Sequence, residues 1–167
     1  MLKKYACCFT GHRPHKLEFG YDEGNVRCLN LKKNLKLEIE NMIDKGICLF
    51  LSGMANGTDL WAAEEVIRQK TEHPEKEILL IAVIPYRGQA SAWAEQYRER
   101  YNKALERADQ CVYISQNYNV SCIQKRNEYL VDHSTHMIAV YNGTPGGTRS
   151  TIMMAKKKNR SIVIIEP

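Results

Sequence analysis

Three short stretches of this sequence combine glycines with side chains that can bind an anion: TGHRP at 10–14, SGMANGTD at 52–59 and NGTPGGTRS at 142–150. Glycine lets a backbone approach an anion closely, and the free N–H groups at the start of a helix favour negative charge. Arg13 can form a two-pronged contact with phosphate oxygens, and His12 is a second donor. These residue types predict phosphate or nucleotide binding.

Short apolar runs precede these stretches and mark the strands that would position them. The six runs lie at 5–10, 47–52, 78–85, 111–115, 136–141 and 161–166. They are mostly continuous rather than alternating, which is typical of strands buried on both faces of a parallel sheet.

Helical patterns lie between the apolar runs. The most periodic one steps by four through Trp93, Tyr97 and Tyr101, and a later one has Ile123 and Asn127 on its apolar face. The one long irregular stretch covers residues 11–30. Because strand and helix alternate throughout, we expect an α/β fold: a three-layer Rossmann-like sandwich with a mainly parallel sheet of about six strands, forming a single domain over residues 1–167.

The carboxyl ends of parallel strands meet at one edge of a sheet, and ligands bind outside that edge in open α/β folds. The three polar stretches follow the first, second and fifth apolar runs, and PYRGQ at 85–89 follows the third. Ordinary charged turns precede the strands, so the two edges differ strongly. Our candidate ligand-binding residues, all at the carboxyl edge, are Thr10, Gly11, His12, Arg13, Ser52, Gly53, Ala55, Gly57, Thr58, Asp59, Tyr86, Arg87, Thr144, Gly146, Gly147, Thr148 and Ser150.

Each polar stretch also has a purely structural interpretation. Gly146 and Gly147 can serve a tight turn, and Asp59 can act as an ordinary partner of a helix dipole. The sequence contains neither the P-loop pattern G-x-x-x-x-G-K-[ST] nor the dinucleotide fingerprint G-x-G-x-x-G after its first strand. The coincidence of several stretches at one edge favours ligand binding through other loops.

Composition limits the classes of function. The net charge of +5 over 167 residues suits an anionic ligand but is too small to indicate nucleic-acid binding by itself. The longest apolar run, 78–84, is too short to cross a bilayer, and no signal-peptide pattern begins the chain, so we expect a cytoplasmic protein with no membrane partner. The six cysteines form no CxxC pair and no zinc-ligand spacing, so no metal site is expected. We expect four of them to be small, reduced core residues: Cys7, Cys8, Cys48 and Cys111.

The motifs TGHRP, SGMANGTDLWAAE and TPGGT, in this order, resemble the SLOG superfamily, which includes the Rossmann-like domain of DprA and the LOG-type proteins. The resemblance covers nearly the whole chain and is closest to the small bacterial YpsA-like branch. It implies a Rossmann-like fold that binds nucleotides or nucleotide-derived ligands. It also implies that the phosphate lies at Gly146, Gly147 and Thr148, with the other two motifs completing the site.

One departure from the LOG pattern bears on catalysis. LOG-type phosphoribohydrolases resemble P-G-G-x-G-T-x-x-E, and Thr151 stands here where their glutamate is expected. We therefore expect a sensing or signalling module that binds a nucleotide and requires no cofactor. The enzyme alternative is a hydrolase of the nucleotide N-glycosidic bond, with Asp59 and Glu64 as its weak candidate carboxylates.

A third alternative is a module that binds single-stranded nucleic acid, as the DprA resemblance suggests. The chain shows no clear stripe of aromatic and basic residues for a strand of DNA, so nucleic acid is the less favoured partner. The fold is compatible with a homo-oligomer, and no sequence feature fixes a number of subunits.

Overall fold

Strands and α-helices alternate along residues 5–167, which the computed structural model describes. The strands are β1 (Ala6–Gly11), β2 (Leu49–Ser52), β3 (Leu79–Tyr86), β4 (Gln110–Ser115), β5 (His136–Val140) and β6 (Ser161–Ile165). The α-helices are α1 (Val26–Asp44), α2 (Thr58–Glu72), α3 (Glu95–Arg107), α4 (Cys122–Asp132) and α5 (Gly147–Lys157). Two short 3-10 helices cover Pro14–Lys16 and Pro74–Lys76.

The six strands form one parallel sheet in the order β4-β3-β2-β1-β5-β6. In β1, Cys7 pairs with Phe50 of β2 on one side and with His136 of β5 on the other. The strand order therefore reverses direction at β1, and the crevice at its carboxyl end is the place where ligands bind in such sheets. The predicted parallel sheet of six strands is confirmed.

The helices cover both faces of the sheet, so the predicted three-layer arrangement is also confirmed. Successive residues of β1 face opposite layers: Cys7 and Phe9 belong to the core under α1, α2 and α3, and Ala6 and Cys8 belong to the core under α4 and α5. Phe9 stacks against Phe50, with 6.0 Å between the ring centres. These contacts fix β1 at the centre of the molecule.

Three local expectations differ from the structure. Helix α1 begins at Val26, inside the stretch that we expected to be irregular, because the Asn25 side chain accepts a hydrogen bond from the backbone N–H of Arg27 at 2.9 Å and caps the helix. Trp93 precedes α3 rather than lying within it. Helix α4 buries Cys122 and Arg126 in place of Ile123 and Asn127.

The described cysteines are free thiols. Cys7 and Cys8 are buried, as predicted, and burial raises the pKa of Cys8 to about 12. Cys48 and Cys111 are only half-buried. None of the helices within residues 5–167 is long and apolar enough to cross a membrane.

Candidate functional site

A pocket of about 280 Å³ opens at the carboxyl end of β1, where the strand order reverses. Its lining comes from β1 and the following 3-10 helix, from the first turn of α2, from α4 and from the first turn of α5. The lining residues are Phe9, Thr10, Gly11, His12, Arg13, His15, Lys16, Ala55, Asp59, Ile123, Arg126, Asn127, Gly147 and Thr148. The N-termini of two helices thus meet at one pocket, and we call it the β1 pocket.

Two glycines let the first and second polar stretches interlock beside the β1 pocket. A Cβ at Gly11 would lie 2.5 Å from Cγ2 of Thr58, and a Cβ at Gly57, whose φ is +93°, would lie 2.7 Å from Cδ of Pro14. The Thr58 hydroxyl donates to the backbone oxygen of His12 at 3.1 Å. These residues therefore hold two loops together.

Ser52 and Gly53 shape the second loop from inside. The fully buried Ser52 hydroxyl donates to the backbone oxygen of Asp59 at 2.8 Å and accepts from the N–H of Met54 at 3.1 Å. A Cβ at Gly53 would lie 2.5 Å from Nη1 of Arg126. Neither residue lines the β1 pocket, but both position residues that do.

Asp59 and Arg126 form the buried charged part of the pocket, with only 7% and 4% of their surfaces exposed. Nη1 of Arg126 donates to the backbone oxygen of Gly53 at 2.5 Å, and its Nε donates to Oδ1 of Asn127 at 2.8 Å. Burial raises the pKa of Asp59, and the charge of Arg126 opposes that rise. Burial likewise lowers the pKa of Arg126, and the negative charge of Asp59 opposes that fall. Desolvation thus outweighs the mutual attraction of these two groups.

His12 lies in the pocket wall and has one ring nitrogen without a hydrogen-bond partner among the described residues. It is 2% exposed, and its Nε2 lies 2.7 Å from Oδ1 of Asn142. Because that oxygen also accepts hydrogen bonds from the N–H and hydroxyl of Thr144, it is an acceptor, and Nε2 must carry the ring proton. The Asn142 N–H also points at Nε2 from 3.2 Å, a hydrogen bond that a protonated Nε2 cannot accept, and the shorter 2.7 Å contact with Oδ1 takes precedence over it.

The other ring nitrogen of His12, Nδ1, is then unprotonated. It is buried and has no hydrogen-bond partner among the described residues. Burial lowers the pKa of His12, the Asn142 hydrogen bond opposes this, and the nearby Lys16 charge lowers it further. The ring is therefore neutral at pH 7, and Nδ1 is a buried acceptor without a partner among the described residues.

An exposed lysine lies beside the start of α5. Gly146 caps this helix with a φ of +144°, and a Cβ there would lie 2.6 Å from Nζ of Lys16. Arg13 lines the pocket nearby. A cation beside the N-terminus of a helix is electrostatically unfavourable unless an anion lies between them. The arrangement therefore fits an anion held by Lys16, Arg13 and the first N–H groups of α5.

Several sequence candidates make other contacts. The Ser150 hydroxyl donates to the backbone oxygen of Gly146 at 3.2 Å, inside its own helix. Arg87 donates from Nε to Gln116 at 2.7 Å, and its guanidinium lies 4.0 Å from the ring centre of Tyr113. Arg87 therefore faces the β4 edge, away from the β1 pocket.

The two candidate carboxylates are not brought together. Asp59 lines the β1 pocket, whereas Glu64 accepts hydrogen bonds from Nε and Nη2 of Arg100, both at 2.7 Å. Nη1 of the same arginine binds Glu23 at 2.5 Å. Glu64 thus belongs to an ion-pair network on the α2–α3 side. No cluster of three metal-binding side chains occurs within the described range.

Sequence reasoning missed Arg126 and Lys16. A signal for Arg126 exists, because it lies four residues after Cys122 and four before Leu130, both buried on the same face of α4. A single arginine on a buried helix face needs a partner or a function. Lys16 lies in the stretch that we expected to be irregular and carries no comparable signal.

These features define a Rossmann-like protein with a polar pocket at the point where its strand order reverses. The sequence model described as "YspA SLOG family", the YpsA family, matches residues 7–165, so the chain belongs to that family. A UPF0398 protein of Halalkalibacterium halodurans is 34% identical over 155 residues, covering 90% of this chain and 80% of that protein. The SPbeta prophage-derived protein YoqJ of Bacillus subtilis is 35% identical over 146 residues, covering 80% and 84% of the two chains.

Two solved structures of DNA processing protein A (DprA) share the fold. The Streptococcus pneumoniae protein matches with a TM-score of 0.65 and 14% identity, over 99% of this chain and 51% of its own. The Helicobacter pylori protein, whose structure concerns its single-stranded DNA binding mode, matches with a TM-score of 0.66 and 12% identity, over 99% and 66%. This chain thus spans about half of the pneumococcal protein, and the similarity shows the fold alone.

Proposed function

We propose that the protein binds a nucleotide or nucleotide-derived ligand through its phosphate in the β1 pocket, as a sensing or signalling module. The observation that carries this proposal is the placement of Lys16 beside the N-terminus of α5, in a pocket that Arg13 also lines. Asp59 is the one carboxylate in the lining, and it shares the pocket with Arg126. Arg13 is near enough to Asp59 to lower its pKa, but neither Arg13 nor Lys16 forms an ion pair with a carboxylate among the described residues, and a phosphate would supply a direct partner.

Each part of the pocket has a role in this proposal. The first N–H groups of α5 and the Thr148 hydroxyl bind the phosphate, and Arg13 and Lys16 neutralise its charge. Membership of the SLOG family supports the class of ligand. The separation of Asp59 from Glu64 favours binding over N-glycosidic hydrolysis, which needs a positioned acid and base.

Isothermal titration calorimetry with nucleoside monophosphates tests the proposal. We expect Arg13→Ala and Lys16→Ala each to weaken binding by about 10-fold or more, because each removes a charge-assisted hydrogen bond worth about 1.5–3 kcal/mol. Arg107→Ala is the matched control, since Arg107 is exposed on α3 and its Nη2 donates to Thr71. If no monophosphate binds, or if all three variants behave like the unsubstituted protein, the proposal is wrong.

Single-stranded DNA is a second candidate ligand, favoured by the fold shared with the two DprA proteins. The same calorimetry with a short oligonucleotide distinguishes it. If the oligonucleotide binds where mononucleotides do not, and does so at moderate salt concentration, this second candidate is favoured. Binding that disappears at modest salt concentration reflects charge attraction alone.

A further inference from the structure

A second cavity of about 260 Å³ adjoins the β1 pocket. Arg13, His15 and Ile123 line both, so the two cavities lie side by side. Each is slightly smaller than the about 300–1,000 Å³ that ligand pockets usually enclose, whereas the two together fall within that range. One ligand that spans both cavities fits this geometry better than a ligand confined to either.

The second cavity differs chemically from the first because aromatic rings line it. Tyr21 comes from the segment before α1, Tyr86 from the end of β3 and Trp93 from the segment before α3. Each ring packs against another that limits its movement. These pairs, with the distances between ring centres, are Tyr21 and Tyr97 at 5.4 Å, Tyr86 and Tyr118 at 5.4 Å, and Trp93 and Tyr101 at 5.3 Å.

Neutral polar groups complete the lining. Gln89 is already engaged, because its Nε2 donates to the backbone oxygens of Gly53 and Met54, both at 3.3 Å. Oδ1 of Asn56 accepts from the N–H of Gly57 at 2.9 Å, which leaves the Asn56 amide N–H groups available to a ligand. The charged and imidazole side chains of this cavity are those that it shares with the β1 pocket.

We infer that this aromatic cavity binds the base of the ligand whose phosphate occupies the β1 pocket, an inference that rests on the proposed function. Planar heteroaromatic rings stack on Tyr and Trp side chains, and an amide can donate to an acceptor on the edge of a base. Arg13 lies at the junction and contacts the phosphate from the β1 side. The ligand class is therefore a nucleoside phosphate that is recognised at both ends, rather than a sugar phosphate or free phosphate.

The experiment compares nucleoside monophosphates with ribose 5-phosphate by calorimetry. We expect at least one monophosphate to bind about 10-fold more tightly than ribose 5-phosphate. Tyr86→Leu should remove most of that difference while leaving the affinity for ribose 5-phosphate unchanged. Tyr5→Leu is the matched control, because Tyr5 is 61% exposed at the opposite edge of the sheet and should change neither affinity.

Fluorescence gives a second measurement that does not depend on the folding of the Tyr86 variant. The chain has two tryptophans, Trp61 and Trp93, and Trp61→Phe leaves Trp93 as the sole reporter. A nucleoside monophosphate should quench the emission of Trp93 on binding, and ribose 5-phosphate should not.

Equal affinity for ribose 5-phosphate and every monophosphate, or unchanged Trp93 emission when a monophosphate is bound, overturns the base site and leaves the proposed function standing. A Tyr86→Leu variant that weakens both ligands equally also overturns it, since that result indicates a structural role. If no phosphate compound binds at all, the proposed function is wrong and the base site falls with it.

Discussion

Replacing Arg126 with Met tests how the β1 pocket holds its buried carboxylate. Methionine keeps much of the apolar stem and removes the guanidinium, which donates to the Gly53 oxygen and whose charge favours the ionised form of Asp59. The lost bond from Nη1 to the Gly53 oxygen is charge-assisted and contributes about 1.5–3 kcal/mol. Asp59 also loses the one buried cation that favours its ionised form. Removing one partner of a buried charged pair commonly costs about 3–5 kcal/mol, and we expect a loss in that range at pH 7.

The part of this destabilisation that comes from leaving Asp59 charged has an upper limit, because the buried carboxylate can take up a proton and become neutral. Its ordinary pKa is 3.8, so protonating it at pH 7 costs about 4 kcal/mol, at 1.36 kcal/mol per pH unit. At pH 5 the same protonation costs only about 1.6 kcal/mol. An acid whose pKa is raised by folding stabilises the folded state at low pH, and this contribution is lost as the pH rises above the unfolded value. The destabilisation by Arg126→Met should therefore shrink by up to about 2–3 kcal/mol between pH 7 and pH 5.

Urea unfolding at pH 5 and pH 7, followed by circular dichroism, measures both quantities. The double variant Arg126→Met with Asp59→Asn should be more stable at pH 7 than Arg126→Met alone, because no buried carboxylate remains. Arg107→Met, on the exposed face of α3, is the control and should change the free energy of unfolding by less than about 0.5 kcal/mol. A loss that is equal at the two pH values, or that Asp59→Asn fails to relieve, would refute the reasoning.

Two further predictions concern β1 and the residue after it. Gly11→Ala places a methyl group against Thr58, and such overpacking should cost about 1–3 kcal/mol, seen as a fall of about 2–12 °C in the thermal midpoint. Adding Thr58→Ala should make the combined loss smaller than the sum of the two single losses, and strictly additive losses would contradict the close contact. The His12 ring should titrate below 6.5 in nitrogen NMR spectra, with the proton on Nε2 in the neutral form. Because the folded state favours the neutral ring, the contribution of His12 to stability is present above pH 6.5 and is lost as the pH falls below that value. A measured pKa at or above 6.5 would show that the ring is not buried as described.

The strands were predictable because each is a short continuous apolar run, and the sheet buries β1, β2, β3 and β5 on both faces. The location of the polar edge followed directly, since parallel strands carry their following loops to one side. Of the candidate residues, Thr10, Gly11, His12, Arg13, Ala55, Asp59, Gly147 and Thr148 do line one pocket. Their binding roles are still predictions.

The details that escaped prediction depend on contacts between distant parts of the chain. Hydrophobic patterning assigned Ile123 and Asn127 to the buried face of α4, but that face includes Arg126. This arginine is tolerated there because its charge meets the Gly53 oxygen, 73 residues away in sequence. Glu64 looked available for catalysis until Arg100, 36 residues later, was placed beside it. Local patterns cannot report such partners.

The hydrogen bond between His12 and Asn142 joins residues 130 positions apart, and β1 pairs with β5 over a similar separation. At the usual 5–20 residues per second of synthesis, a ribosome needs roughly 6–26 s to add 130 residues. During that time β1 lacks its neighbour on one side, and neither the α5 end of the pocket nor the partner of His12 exists. The nascent chain therefore has no complete β1 pocket until α5 has emerged. A ligand of this pocket can therefore recognise only the finished sheet. Because such a ligand stabilises the folded state by mass action, it would slow the turnover of completed molecules without assisting their synthesis.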